Sequence, residues 1–370
     1  MHIKINKSDF LDILAKVQGL TGRKSNLAIT ENVLIKTKDE YIQLLVTDLE
    51  SGFEGFYAAT IESEGAVVIN SRKFYEIVRE FPSEEIWIQE IENHWIKIGN
   101  QKVQYHIVGM NPEDFPEIPS MDSLSLFEID QGAFSKMIEK TVIISGSSDD
   151  KRPQINGVFF EVIEGDRILR MVSTDGSRLC LVDYASDKGF SGLMEKGLII
   201  PKKGLSEVAK FLDGEGTVKI GVKENKFIVK KGRETIVIRL LEGAFPKYQD
   251  IIVKGNGHLI TLDRKIFFSM LRRMSILSSE TYKSVLFTFD ENILIISATN
   301  PDIGESKEEM SIDFGGDKTE MAFNPKFFID TLNVIEDEAV ILFVSSADKP
   351  CLIEGKENKN FISVIMPMKV

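Results

Sequence analysis

Residues 69–88, INSRKFYEIVREFPSEEIWI, join an apolar lead-in, a short helix bearing basic residues, an acidic turn and a new strand, and this order of features returns twice. It reappears at 200–220, IPKKGLSEVAKFLDGEGTVKI, and at 323–343, FNPKFFIDTLNVIEDEAVILF. Lys73, Lys203 and Lys326 mark equivalent points, 130 and 123 residues apart, a spacing that matches one ordinary domain. A chain repeating itself in this way is constrained to stack related modules.

The rest of each copy falls into the same register. Asn6 or Ser8 caps a first helix that carries Phe10, Leu11, Leu14 and Val17 at helical spacing. Phe134 in IDQGAFSKMIEKTVII takes the place of Phe10, and LDRKIFFSMLRRMSIL opens the third copy. Val33, Val158 and Val285 begin the next strand; Thr47-Asp48, Thr174-Asp175 and Thr299-Asn300 end the one after it. Pro116, Pro246 and Pro367 close the copies. A proline-rich polar stretch, NPEDFPEIPSMDSL, reads as the first linker. The expected domains are 1–124, 125–252 and 253–370, of α+β class, each with two helices packed on antiparallel sheets of short strands.

Composition narrows the function. With 43% hydrophobic and 28% charged residues the chain belongs with globular proteins. No run of 18 apolar residues occurs and MHIKINKSDF alternates before a helix cap, so a cytoplasmic location is expected. Cys180 and Cys351 sit in apolar strand-like runs, and His2, His94, His106 and His258 are scattered, so neither a metal site nor any cofactor is expected.

The net charge of −12 argues against a polyanionic partner until it is sorted by element. The six helical segments (6–24, 69–81, 130–141, 200–212, 263–274 and 323–335) hold 17 basic and 9 acidic residues. Their surplus of eight leaves −20 for the remainder. An acidic body with basic helices draws a polyanion to one surface and repels it elsewhere. Lysines on helix faces also serve simple solvation. No base-reading motif is present, so any nucleic acid is held through phosphates without sequence choice.

The three copies, the segment STDGSRLCLV and the ending VIMPMKV together resemble the bacterial DNA polymerase III beta subunit family, the beta sliding clamps, over the whole chain. The resemblance implies repeated clamp-type domains, a ring-forming head-to-tail homodimer, helices lining a hole that duplex DNA threads, and no catalysis. It implies a role in DNA replication as a processivity factor. Its partners would be duplex DNA, bound without sequence preference, and replicative polymerase, clamp loader and repair proteins, docked through short apolar peptides; no membrane is involved. Residue by residue it carries the peptide groove onto Ile155, Thr174, Gly176, Ser177, Arg178, Leu179, Pro246, Ile251, Asn324, Phe327, Pro350, Val364, Met366, Pro367 and Met368. Aliphatic and Met side chains would supply an adaptable floor, while Arg178 and Asn324 fix the peptide's direction.

The same matching gives Lys24, Arg72 and Tyr282 as DNA contacts, and charge with helix position adds Arg23, Lys73, Arg152, Lys203 and Arg272. The subunit contact would join Tyr105 and Ile107 to Ile276 and Leu277. The third copy has Asn300-Pro301 where the second has Asp175-Gly176, as expected if one groove binds peptides. Two other classes remain open on the residues alone. Asp175, Ser177 and Arg178 are the residue types of a hydrolase or phosphoryl-transfer site, although no Gly-rich phosphate cradle, HExxH or GxSxG element accompanies them. A three-domain scaffold binding peptides without DNA also fits.

Overall fold

The structure, a computed structural model, describes residues 1–21, 27–116, 125–144, 152–163, 165–212, 214–252, 254–279 and 283–368. It has two helices of ten or more residues in each sequence copy: α1 (Lys7–Val17) and α2 (Ser71–Glu80), α3 (Gln131–Val142) and α5 (Lys202–Phe211), α6 (Arg264–Met274) and α7 (Pro325–Val334). A four-residue helical turn, α4 (Pro153–Asn156), stands where the sequence reads as polar loop.

Local chemistry explains where the helices start. Asn6 accepts from the amides of Ser8 and Asp9 and so caps α1; Asn70, Asp263 and Asn324 do the same for α2, α6 and α7. In α1 the buried stripe is Phe10, Ile13, Leu14 and Val17. Leu11, assigned to that stripe from spacing, is only half-buried, because the helix turns Ile13 inward instead.

The chain divides into two compact units, residues 1–135 with 203–240, and 136–202 with 241–370. The cut runs through the middle copy, which gives strands to both. The first unit holds a five-stranded sheet in the order Thr60–Ser63, His2–Asn6, Glu85–Glu90, Trp95–Gly99, Gln104–Val108. Its eight-stranded sheet runs Phe127–Asp130, Thr217–Lys223, Lys226–Lys231, Glu234–Arg239, Ser51–Ala58, Tyr41–Thr47, Asn32–Lys38, Ala66–Asn70. Four strands of the middle copy thus meet four of the first at one antiparallel pairing, with Ile236 opposite Phe53.

The second unit repeats the device. Leu198–Pro201, Gly157–Ile163, Ile168–Thr174 and Arg178–Ala185 meet Phe361–Ile365, Cys351–Gly355, Ala339–Val344 and His258–Asp263, with Leu179 opposite Val364. A four-stranded sheet, Gly304–Ser311, Ile293–Asn300, Val285–Asp290, Thr319–Phe323, completes it. Phe328 of α7 lies 6.0 Å from Phe267, 5.0 Å from Phe287 and 5.1 Å from Phe323. Each such ring pair adds about 1 kcal/mol beyond area burial.

The strand Gly304–Ser311 is not legible as one, because its sequence GESKEEMS has no apolar alternation. Among the described residues it pairs on one side only, with Ile293–Asn300, and charged side chains suit such an edge. Its Glu308 is held by Arg273 of α6.

Candidate functional site

In the second unit, Thr-Asp-Gly-Ser-Arg builds a turn whose geometry follows from its side chains. Thr174 Oγ1 accepts from the Gly176 amide (3.1 Å) and donates to the Arg178 carbonyl (2.8 Å). Asp175 Oδ1 accepts from the amides of Ser177 (2.9 Å) and Arg178 (3.0 Å). Gly176 occupies φ +89°, the left-handed region that costs a side chain about 1 kcal/mol or more. Arg178 therefore emerges at a fixed point at the head of its strand.

Arg178 as a whole is 5% exposed, and its guanidinium is fully engaged. Nε donates to Asp175 Oδ2 (3.0 Å), Nη1 to Asp330 Oδ2 (2.8 Å) and Nη2 to the Ile143 carbonyl (3.4 Å). Its face lies 4.4 Å from the centroid of the Phe327 ring, a cation–π distance. Asn324 caps α7 and Pro325 occupies its first turn, which sets Phe327 over Arg178.

The closing run bridges two sheets. The Met366 amide donates to the Ser177 carbonyl (2.9 Å) and the Met368 amide to the Ala322 carbonyl (2.8 Å). Pro367 between them has no N–H to offer, so the run passes from the eight-stranded to the four-stranded sheet at that residue. The result is a cleft of about 880 Å³ containing Gly176, Ser177, Arg178, Asn324, Phe327, Met366, Pro367 and Met368, eight of the expected groove residues. A neighbouring cleft of about 640 Å³ takes Ile251 and Pro350 and shares Met366. Leu179 and Val364 lie buried beneath, in a cluster with Val172, Leu181, Tyr248, Phe343 and Leu352.

Besides Leu179 and Val364, three expected groove residues line neither cleft. Thr174 serves the turn, Pro246 is exposed in the closing segment, and Ile155 is buried in α4. The Ile155 carbonyl accepts from Lys202 Nζ at 2.5 Å, and burial pushes the Lys202 ammonium down to about 8. Tyr248 secures the closing segment, donating to Glu161 and accepting from Arg170 at 3.3 Å; burial pushes its phenol up to about 12. Sequence reasoning missed Asp330, Pro325, Ile329, Lys326 and Lys283 as members of the site. Asp330 alone carried a signal, standing three residues after Phe327 on the same helix face.

Neither cysteine is poised as a thiolate. Burial pushes the Cys180 thiol up to about 12 and raises that of Cys351 as well, which leaves both protonated near neutral pH. Asp175 is committed to the turn and to Arg178 through both oxygens. Among the described residues no cluster of His, Cys, Asp or Glu could hold a metal ion.

The basic positions are less free than their sequence suggests. On α2, Arg72 and Lys73 are exposed, yet both reach Glu76, at 3.1 and 2.9 Å. The hydrogen bond from Lys73, with the one from Arg72, holds the Glu76 carboxyl below its ordinary range. Lys203 Nζ lies 2.6 Å from Asp48, and Arg272 sits 5.9 Å from the ring centroid of Phe268. Arg152 is exposed. Arg23, Lys24 and Tyr282 lie outside the described residues.

The expected contact residues lie at chain edges. Gln104–Val108 is the last strand of its sheet, with Tyr105 exposed, Ile107 half-buried and Val108 65% exposed. Ile276 is 74% exposed in the short turn Ser275–Leu277 that follows α6, and Leu277 beside it accepts at its carbonyl from Asn300 Nδ2 (2.9 Å). Ile303, 63% exposed, was not anticipated.

Comparison with known proteins covers the chain from end to end. Residues 1–119 match the family model for the DNA polymerase III beta subunit, N-terminal domain; 128–247 match the central domain and 249–369 the C-terminal domain. The beta sliding clamp of Chlamydia pneumoniae is 27% identical over 372 residues, spanning 100% of this chain and 99% of the relative. That of Pseudomonas putida is 28% identical over 372 residues and spans 100% of both. The crystal structure of the DNA polymerase III subunit beta from Pseudomonas aeruginosa superposes with a TM-score of 0.93 at 27% identity, covering 100% of each chain. A DnaN sliding clamp from Bartonella birtlesii, solved bound to griselimycin, gives 0.93 at 28% identity, again over 100% of each.

Proposed function

The chain belongs to the DNA polymerase III beta subunit family, and on that premise we propose that it is a sliding clamp, a non-catalytic ring that keeps the replicative polymerase on duplex DNA. The observation that carries this reading is the match of all three copies, in order and over the full length, to the domains of one family. The ring is a head-to-tail homodimer of three domains per subunit, 1–124, 125–252 and 253–370. Tyr105, Ile107 and the exposed Val108 at one edge meet Ile276, Leu277 and Ile303 of a second copy, an arrangement in which unlike edges close a cycle. Exposed apolar side chains at both edges support it. The protein works in the cytoplasm.

The paired clefts of the second unit dock short apolar peptide segments of polymerase, clamp loader and repair proteins. Met366, Met368 and Phe327 form an adaptable apolar surface. Griselimycin on the Bartonella birtlesii relative supports ligand binding by this fold. DNA is held weakly: Arg72, Lys73 and Lys203 already face carboxylates, which favours topological retention over tight phosphate contact.

Two measurements test this. After loading, the protein stays on closed or nicked circular DNA and runs off the same DNA once it is linearised; equal loss from both, or a strict monomer at micromolar concentration, overturns the ring. Titration with a Gln-Ser-Ser-Leu-Phe peptide yields binding that Met366→Asp abolishes; failure of the wild-type protein to bind overturns the docking surface.

A further inference from the structure

We propose that the cleft between the Arg178 turn and α7 selects docking segments whose apolar residues are flanked by an acidic side chain, read by Lys283 and Lys326, and that Asp175 and Asp330 exclude Arg178 from that task. The inference rests on the docking role proposed above and adds the charge of the segment that docks.

Arg178 is a buried cation of the cleft, and its capacity is used up. Three of its nitrogens are bound, to Asp175, Asp330 and the Ile143 carbonyl, and Phe327 covers its face. A guanidinium held between two carboxylates in a 5% exposed position presents no net positive charge to a ligand. A peptide carboxylate placed there would meet Asp175 and Asp330 and be repelled.

Lys283 and Lys326 line the same cleft. Both are exposed, and among the described residues neither side chain has a hydrogen-bond or ion-pair partner. Arg72, Lys73, Arg178, Lys203 and Arg273, by contrast, each have a carboxylate beside them. Lys326 also stands in the first turn of α7, where no acidic residue is present. A cation at the positive end of a helix dipole is disfavoured there, and an incoming carboxylate relieves both charges together. In a chain of net charge −12, this makes the rim a local positive site beside an apolar floor.

The test uses the full-length protein and synthetic peptides built on Gln-Ser-Ser-Leu-Phe, flanked at one end or the other by Asp-Asp, Ser-Ser or Lys-Lys, compared by competition in fluorescence polarisation. At low salt the better-placed Asp-Asp peptide binds about three- to tenfold more tightly than its Ser-Ser counterpart, as suits two exposed ion pairs, and the Lys-Lys peptide binds more weakly than either. The preference shrinks at high salt and disappears in the Lys283→Gln/Lys326→Gln protein, whose thermal unfolding reports that it is folded. Equal affinities for acidic and neutral flanks, or a preference that survives the double substitution, overturn the inference while leaving docking intact. Absence of binding by every peptide overturns the docking surface and this inference with it.

Discussion

Residues 47–51 and 174–178 form the same turn twice, once in each unit. Thr47 Oγ1 accepts from the Leu49 amide (2.9 Å) and donates to the Ser51 carbonyl (2.9 Å), as Thr174 does with Gly176 and Arg178. Asp48 Oδ1 accepts from the amides of Glu50 (3.1 Å) and Ser51 (2.6 Å), as Asp175 does from Ser177 and Arg178. The hollow beside the first turn is about 300 Å³, against about 880 Å³ beside the second.

Side chains that take no part in the shared hydrogen bonds make the difference. Where the second turn ends in Arg178, the first ends in Ser51, which has no guanidinium to support a ring. Where α7 presents Phe327, the matching position of α5 is Gly204. A Cβ there would come within 2.7 Å of Ile238 Cγ2, so the helix lies close against its strand and leaves little room. The same turn scaffold thus stands beside a cleft in one unit and a small hollow in the other, with different side chains at the turn end and on the facing helix.

Substituting the two turn-ending residues breaks the comparison most strongly. Arg178→Ala strands Asp175 and Asp330 and removes the support of Phe327, so it costs about 3 kcal/mol of stability in denaturant unfolding and at least tenfold in peptide affinity. Ser51→Ala changes stability by about 0.5 kcal/mol or less. Equal effects at the two positions would show that the guanidinium does not set the cleft.

Two adjacent lysines offer a sharper, pH-dependent contrast. Lys203 reaches Asp48 of the first turn, whereas Lys202 donates to the Ile155 carbonyl and is pushed down to about 8 by burial, a shift that Asp175 opposes and Arg178 adds to. Its ordinary value is 10.5, so between pH 8 and 10.5 the unfolded chain binds the extra proton and stability rises with pH. Below pH 8 the full penalty applies. Lys202→Met removes that rise, and the difference between wild-type and variant unfolding curves changes by about 2 kcal/mol over this window.

The smallest effect concerns the backbone. Leu49 holds φ +73° where the second turn has Gly176 at φ +89°. Gly176→Ala costs about 1 kcal/mol in thermal unfolding, while Leu49→Gly is close to neutral, relief of strain being offset by the entropy of glycine in the unfolded chain. A large loss on Leu49→Gly would mean that its half-exposed side chain, not its backbone, matters there.

Much of this architecture is legible because its signals are short. Asn6, Asn70, Asp263 and Asn324 cap helices within three residues, and Thr174 and Asp175 close their turn within four. The strand Gly304–Ser311 escapes notice because an edge needs no apolar face. Of the groove positions that family resemblance implies, eight line one cleft, and Leu179 and Val364 lie buried beneath it. Ile155 and Pro246 lie off the lining, since matching positions along a chain does not say which way a side chain faces.

The sequence by itself determined the threefold repetition, together with the helix starts and the turn at 174–178, which rest on bonds between near neighbours. Only the tertiary structure decided which cations remain available. Asp330 stands 152 residues from Arg178, and whether a carboxylate meets a guanidinium across that separation depends on how α7 packs against its sheets. Charge counted along a chain gives the supply of ions; their pairing is fixed by packing.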